Sequence, residues 1–379
     1  MSDSKELSSL IKSEISCPEF TSRFQVQSIL GSGAFSTVFC VKTNDSIVAV
    51  KISNRRSNNE CSNNNNGYDE RDPYINFKNR VQTEIDIHTF ISSQNHPNIV
   101  KLLESFEYTI KEFVSTSKLV HAIVLEYCEL GTLQQYLKRV QGDIKSSRMN
   151  RFSFLPEEEV RFALRQLLRA VSMIHAHAIV HRDIKPENIL LTASSSNPFV
   201  DRRKFTLMDC VLKLSDFGLA VKMKDDDDWN SGQKCPCGTP VTMAPEVILA
   251  GKQKGTQPRL GIIEKYHSIV GYGQPADLWS TGVIQYLMLV GQFPFISSKP
   301  PSLKSSSLAT SKSGKFNYIK TAMQEVVKGT LIIPSNILIS TSGNDLLHQL
   351  LNKNPTQRGF ARGKRKNLLI FHFRFDSLK

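Results

Sequence analysis

Long apolar runs are missing from this sequence. The longest, around Val283–Val290, is far shorter than the ~20 residues a membrane-spanning helix needs. An apolar leader is missing too: the first twenty residues are polar and serine-rich, so no signal peptide is expected. Cysteine is sparse, with seven (positions 17, 40, 61, 128, 210, 235 and 237) scattered through 379 residues. An odd, unpatterned set in a chain too long to need stapling argues against a disulfide scaffold and for a reducing compartment. No internal repeat occurs. A fibre, a membrane-spanning protein and a small secreted module are therefore excluded as expectations.

What is present is ordinary for a globular chain with a full-sized core: 40% hydrophobic and 22% charged residues. The formal net charge is +13, which invites a nucleic-acid or anionic-membrane partner. The distribution argues otherwise. From Ser298 to Lys379 there are 14 Lys and Arg against three acids, Glu325, Asp345 and Asp376. Residues 1–297 carry 34 against 32 and are nearly neutral. No specific nucleic-acid partner is expected from such a balance.

Arg23–Ile52 reads as strands, with Phe24 and Val26 alternating, then Val38–Val41 and Ile47–Val50, both rich in β-branched residues. Asn54–Asn66 holds seven asparagines in thirteen residues and reads as a low-complexity loop. Arg80–Ile91 is a candidate helix, and Lys118–Glu126 another strand. Beyond Gly131 the pattern is helical. Pro156 at a first-turn position, followed by Glu157-Glu158-Glu159, starts a helix whose apolar face is Val160, Ala163, Leu164, Leu167, Val171 and Ile174. Gly251–Gly271 has no clear period, and Ser297–Ser313, with eight serines and three lysines, reads as a flexible insertion.

Several motifs bear on chemistry. Gly31-Ser32-Gly33-Ala34-Phe35-Ser36-Thr37-Val38 lies between two expected strands. Glycines there either make a plain turn or let backbone N–H groups reach phosphate oxygens with no Cβ in the way. A dinucleotide fingerprint would need a helix next, and a Walker loop would need Gly-Lys-Ser/Thr; both are absent. Lys51 ends Val48-Ala49-Val50-Lys51, and Glu84 lies in the expected helix; each alone is either solvated surface or half of an ion pair. Cys235-Pro236-Cys237 has poor zinc spacing and no second pair, so no metal is expected there. The decisive segment is His181-Arg182-Asp183-Ile184-Lys185-Pro186-Glu187-Asn188-Ile189-Leu190-Leu191. It concentrates an acid, a lysine and an amide between apolar runs, a costly arrangement unless it is used.

Asp216-Phe217-Gly218, Gly238-Thr239-Pro240 and Ala244-Pro245-Glu246 follow in order, and the whole set resembles the protein kinase signature. Asp277–Gly282, Gly291–Phe295 and Leu350–Arg358 resemble the family's structural landmarks, so the resemblance covers Phe24 to Arg358. It implies an α+β, bilobal fold with a small β-rich N-lobe and a larger α-helical C-lobe. The expected divisions are an N-terminal extension (1–22), an N-lobe with hinge (23–128), a C-lobe with insertions (129–360) and a basic tail (361–379). It implies ATP and Mg²⁺ as cofactors and protein substrates with Ser/Thr acceptors. By the same resemblance, Asp183, Lys185, Lys51 and Glu84 would be catalytic, and Asn188 and Asp216 would hold the metal. Gly31, Ser32, Gly33, Val38, Ala49, Lys51, Leu125, Glu126, Cys128 and Leu190 would bind the nucleotide, with Leu125 as gatekeeper. Lys185 in Asp-x-Lys-x-x-Asn is the serine/threonine form. Glu246 and Arg358 are expected to form a buried ion pair.

Glu84–His88 and Cys237–Pro240 are similar to the polo-like group, although calcium/calmodulin-type and autophagy-initiating kinases share much of both. After Arg358 no room is expected for a polo-box domain. Three departures from the pattern stand out. The third loop glycine is Ser36, the family's tyrosine before Met-Ala-Pro-Glu is Thr242, and the last helix is replaced by the strand-like Leu368–Phe375. That ending either closes the fold unusually or is an alternative end of the chain. Arg182 and Ser231 suggest an activation-loop phosphate placed by an upstream kinase or by autophosphorylation; Asp225–Asp228 is either a fixed mimic of it or a solvated loop tip. Gly363-Lys364-Arg365-Lys366 is either a nuclear signal or a solvated tail, and the expected location is intracellular, cytoplasmic or nuclear. A pseudokinase, binding nucleotide or acting as a scaffold, is the alternative. Substrate, pathway and oligomeric state are not legible.

Overall fold

Alternating β-branched residues near the start of the chain build an antiparallel sheet. The computed structural model describes residues 18–33, 36–53, 73–113, 116–147, 153–195, 197, 200–223, 237–250, 272–295 and 312–358. Within them, β1 (Gln25–Ser32), β2 (Ser36–Lys42), β3 (Ile47–Ser53), β4 (Leu102–Phe113) and β5 (Thr116–Glu126) form a five-stranded sheet of order β1-β2-β3-β5-β4. Asn54–Asn66, Asp225–Asp228, Ser231, Cys235, Gly251–Gly271, most of Ser297–Ser313 and everything after Arg358 lie outside the described residues.

The register of that sheet sorts its side chains. Val38 pairs with Lys51 and Lys51 with Ile123; Cys40 pairs with Ala49 and Ala49 with Leu125. Directly paired residues share a face, and alternate residues along a strand share it too, so these six lie on one face. Phe39, Val41, Val48, Val50, Ile52, Val120, Ala122 and Val124 take the other face. There they bury against Phe20, Phe24 and Tyr108 in one apolar cluster. Phe20 comes from a helical turn, α1 (Pro18–Thr21), and its ring lies 4.9 Å from Phe24 and 5.7 Å from Tyr108. The stretch expected as an N-terminal extension (1–22) thus includes Phe20, which packs in this cluster.

The candidate helix at Arg80–Ile91 is longer than expected: α2 runs Pro73–Ser93. Its buried stripe is Val81, Glu84, Ile87, His88 and Ile91, the i, i+3, i+4, i+7 spacing of one helical face. Glu84 thus occupies a position that its helix turns inward.

The chain divides into two compact units. The first holds the described residues up to Asn95 together with Val100–Cys128; the second holds His96–Ile99 and the described residues from Glu129 onward. The second unit contains α3 (Leu133–Ser147), α4 (Glu157–Ala176), α5 (Pro245–Ala250), α6 (Pro275–Val290), α7 (Lys312–Lys328) and α8 (Thr341–Leu350). Two small hairpins accompany them, β6 (Ile179–Val180) with β9 (Val221–Lys222) and β7 (Ile189–Ala193) with β8 (Cys210–Leu214). Pro156 is the residue preceding α4 rather than part of its first turn, because its ψ of 139° is extended. Lys312 and Ser313, read as the end of an insertion, begin α7.

Fifteen of the sixteen residues of α6 are buried, polar ones included, so this helix is the spine of the unit. Met243, Val247, Ile248, Val326 and Leu347 pack in one cluster with its Trp279 and Val283. The expected ion pair is there. The Arg358 guanidinium grips Glu246 with Nη1–Oε1 at 2.5 Å and Nη2–Oε2 at 2.6 Å, with side chains 0% and 2% exposed. Further bonds to the carbonyls of Pro275, Asn352 and Lys353 satisfy the rest of the fork.

Candidate active site

In the first unit, β3 delivers Lys51 and α2 delivers Glu84. Lys51 Nζ lies 2.5 Å from Glu84 Oε1, with side chains only 11% and 7% exposed. A buried lysine and a buried glutamate are each costly alone, and the pair resolves both. Lys51 shares its sheet face with Val38, Ala49 and Leu125, four of the residues expected at a nucleotide. Glu126, at the end of β5, is tied down: its N–H donates to the Lys101 carbonyl at 3.0 Å and its carboxylate accepts from Lys101 N at 2.7 Å. Cys128 follows it, buried.

Gly31 and Gly33 are informative because the fold itself does not require them. Neither has a positive φ. A Cβ would meet nothing within 4 Å at Gly31, and only the Ser36 carbonyl, at 3.7 Å, at Gly33. Open space beside two glycines is a cradle that a Cβ would narrow, which fits a phosphate-bearing ligand approaching the backbone. Ser32 stands between them at the end of β1, opposite Thr37; Ala34 and Phe35 lie outside the described residues.

In the second unit the chemistry is concentrated in a loop between β6 and β7. The Asp183 carboxylate accepts Lys185 Nζ at 2.7 Å on Oδ2 and the Thr239 hydroxyl at 2.9 Å on Oδ1. Asn188 Nδ2 donates to the Asp183 carbonyl at 2.9 Å and to Oδ2 at 3.2 Å. With its nitrogen so engaged, the Asn188 amide presents Oδ1 as an oxygen ligand. Asp216 is brought beside Asn188 through Ser215, whose N–H and hydroxyl both donate to the Asn188 carbonyl, at 2.9 and 3.0 Å. An amide oxygen and a carboxylate are the hard-donor set that Mg²⁺ takes when phosphate oxygens and water complete its shell, so these residues fit that ion. Leu190 lies on β7, opposite Lys213 on β8.

The loop is held from beneath. Asp277, fully buried at the start of α6, accepts His181 N–H at 2.8 Å and Arg182 N–H at 2.9 Å. It also bonds His175 Nε2 at 2.8 Å. Burial alone would raise the Asp277 pKa, but the bonds from His175 and the His181 backbone outweigh it and hold the carboxyl below its usual range. His181 Nδ1 accepts from Asp183 N–H, so its Nε2 donates to the Ser215 carbonyl at 3.0 Å, and its ring meets Phe217 edge-on at 5.1 Å. Arg182 (φ 69°) and Asp216 (φ 62°) sit in the left-handed region, strain that these bonds sustain. Gly238 (φ +105°) must be glycine, since a Cβ would come within 2.5 Å of the Arg182 carbonyl.

Three contributors were not recognised as such in the sequence. Thr239, read only as part of the Gly238-Thr239-Pro240 motif, bonds both Asp183 and Lys185, the latter at 3.3 Å. Asp277, read as a landmark, and His175, not singled out at all, form the support. A polar residue on the apolar face of α4 was the available signal for His175. Thr242, the departure from tyrosine, is buried and donates its hydroxyl to the Thr239 carbonyl at 3.1 Å, so it helps place that residue. Among the described residues no cluster of His, Cys, Asp and Glu suits a resident metal, and Cys237 instead lies 3.2 Å from the Tyr272 hydroxyl. Among the same residues, no helix is long and apolar enough to cross a membrane.

Comparison with known proteins agrees with this geometry. The family model for the protein kinase domain matches residues 24–363. The chain is 27% identical over 343 residues to serine/threonine-protein kinase PLK4 of Drosophila virilis, covering 90% of this chain and 32% of that protein. It is 28% identical over 353 residues to the probable serine/threonine-protein kinase fhkD of Dictyostelium discoideum, covering 91% and 36%. It is 31% identical over 280 residues to serine/threonine-protein kinase 33 of Bos taurus, covering 73% and 43%. The chain thus spans about a third of the length of the first of these relatives. From residue 24 to residue 363 it belongs to the protein kinase domain family, of the eukaryotic serine/threonine type.

Proposed function

We propose that the chain transfers the γ-phosphoryl group of ATP to serine and threonine hydroxyls of protein substrates. The observation that carries this reading is the convergence of Lys185, Thr239 and Asn188 on the one carboxylate of Asp183. Phosphoryl transfer needs positioning and charge neutralisation more than covalent chemistry, and this loop supplies both.

Asp183 Oδ1 and Oδ2, fixed from three sides, would orient the acceptor hydroxyl and take its proton. Lys185, already against Asp183, would neutralise charge on the moving group. Lys51, oriented by Glu84, would hold the α- and β-phosphates, and the N–H groups around Gly31, Ser32 and Gly33 would receive phosphate oxygens. Val38, Ala49, Leu125 and Leu190 would provide apolar contacts to adenine, with the backbone at Glu126 and Cys128 bonding its edge. Asn188 and Asp216 would hold Mg²⁺, which neutralises phosphate charge when bound. Lys185 in Asp-x-Lys-x-x-Asn and Thr239 before Pro240, which resemble the serine/threonine form, support a Ser/Thr acceptor. Phosphorylation at Ser231, by the chain itself or an upstream kinase, remains part of this reading.

The alternative, a kinase-shaped binding module, is disfavoured by the presence of Lys51, Asp183 and Asp216 together. Transfer of phosphate from Mg-ATP to a generic protein substrate separates the two. Asp183→Ala is expected to lower the rate by about 10²–10⁴-fold, the usual contribution of a positioned acid or base. Lys51→Ala should likewise lose most activity. An intact chain no faster than either variant would overturn the reading.

A further inference from the structure

Helix α6 reaches the Asp183 loop by two routes. Asp277, in its first turn, holds the backbone N–H groups of His181 and Arg182. Ser280, three residues on and therefore on the same face of the helix, is buried too. Its Oγ lies 2.9 Å from the Thr242 carbonyl and 3.2 Å from the Ala276 carbonyl in its own helix, so its proton is held between them. Thr242 in turn donates its hydroxyl to the Thr239 carbonyl at 3.1 Å. The Thr239 hydroxyl donates to Asp183 Oδ1 at 2.9 Å and accepts Lys185 Nζ at 3.3 Å. The route from Ser280 through Thr242 to Thr239 thus ends on the carboxylate itself, where the Asp277 route ends on the backbone that carries it.

The second route is not a requirement of the turn it passes through. Thr242 N–H and Met243 N–H both donate to the Thr239 carbonyl, at 3.0 and 3.1 Å, and those backbone bonds close the turn without help from the side chain at 242. The Thr242 hydroxyl is a third donor to the same oxygen, on a residue only 2% exposed. Threonine can make this bond because its oxygen sits on Cβ, within reach of a carbonyl three residues back. The tyrosine that the family pattern places here carries its hydroxyl at the far end of a ring and could not make it. A hydroxyl buried in this position constrains where the Thr239 backbone lies, and with it how squarely the Thr239 hydroxyl meets Asp183.

We infer that Thr242 and Ser280 are positioning residues: through Thr239 they set the orientation of the Asp183 carboxylate and of the Lys185 ammonium beside it. The effect on rate rests on the phosphotransfer reading; the effect on the carboxylate rests on the bonds alone. A carboxylate that takes the proton of an acceptor hydroxyl must present a lone pair in one direction, and a misaligned group loses rate without losing nucleotide affinity. Asp277 still holds the backbone of the loop when the second route is cut, so the expected loss is modest and confined to the side chains.

The test is steady-state transfer from Mg-ATP to a generic protein substrate by the full chain. Thr242→Val keeps the shape and removes the hydroxyl, so kcat is expected to fall about fivefold with KM for ATP unchanged. Thr242→Ser, which restores the hydroxyl, should return kcat to within about twofold of the parent. In a Thr239→Val background, Thr242→Val should cost nothing further, because the route is already cut. An unchanged kcat, no recovery with serine, or an equal loss in the Thr239→Val background overturns the inference. A second readout is independent of turnover. With aspartate carboxyl carbons labelled, the Asp183 resonance, identified with Asp183→Asn, should move in Thr242→Val and return in Thr242→Ser. An unmoved resonance overturns the positioning role even in an active enzyme. A moving resonance in a parent chain that transfers no phosphate upholds the positioning of Asp183 and overturns the phosphotransfer reading instead. Thermal unfolding checks each variant. Ser280→Ala, expected to lower kcat and move the resonance in the same direction, carries the test should Thr242→Val fail to fold.

Discussion

The two units hold their charged residues in opposite ways. In the first, Lys51 and Glu84 are 33 residues apart, on a strand and a helix, and meet at a 2.5 Å contact. In the second, Asp183, Lys185 and Asn188 lie within six residues, and bonds from Thr239, Ser215 and Asp277 fix their loop in place. The first arrangement depends on how α2 lies against the sheet, so a small displacement of one helix breaks it. The second is determined several times over and keeps its geometry when any one bond is lost. A pair bridging a strand and a helix and a loop bonded from several sides are different physical devices, and this chain carries one of each.

The comparison breaks most decisively at Asp277. Asp277→Ala leaves the N–H groups of His181 and Arg182 and the ring of His175 without their shared acceptor. Removing one partner of a buried charged network costs about 3–5 kcal/mol, and misplacing the loop by about 1 Å costs on the order of 10²-fold in rate. Chemical unfolding and turnover should both register it. The carboxyl is held below its usual range in the folded chain. Its contribution is therefore present above the unfolded carboxyl pKa of about 3.9 and lost as pH falls through the folded value. The stability gap between parent and variant should accordingly narrow in acid.

A smaller effect is expected at Glu84. Glu84→Gln keeps a hydrogen-bond acceptor for Lys51 and removes the charge, so kcat/KM should fall by about tenfold, roughly 1.4 kcal/mol, with the fold intact. A loss as large as that of Asp277→Ala would erase the distinction between the units. The smallest effect on folding belongs to Gly33→Ala. The site is open and its φ is not left-handed, so stability should stay level or rise by about 0.4–1 kcal/mol through a restricted unfolded chain. KM for ATP should nevertheless increase several-fold, measured by steady-state kinetics. An unchanged KM would mean that the glycine serves only the turn.

Much of this was legible from local pattern. The strands around Val38 and Ala49, the helix that carries Glu84 and the loop from His181 to Asn188 announce themselves through period and through charge in apolar surroundings. Strand β4 was not anticipated, because Leu102–Phe113 mixes glutamates with apolar residues and its pairing is with β5, a tertiary partner. The length of α2 was understated because the buried stripe that marks it begins only at Val81, while Asn76 in the preceding turns is a weak helix former. His175 was missed because a single histidine at the end of an amphipathic helix, even on its apolar face, does not identify its partner until α6 supplies the carboxylate.

By itself the sequence determined which residues carry charge into apolar surroundings, and therefore where chemistry had to lie, since an ion can be buried only beside a partner. It also determined the two faces of the first sheet, because a strand's side chains alternate with a strict period of two. Only the tertiary structure decided which partner each ion takes: Glu84 for Lys51, Asp277 for the backbone of the loop from His181 to Asn188, Thr239 for Asp183. Those choices link residues from 33 to 96 positions apart. No local periodicity encodes them, because they arise from which buried surfaces happen to close over one another.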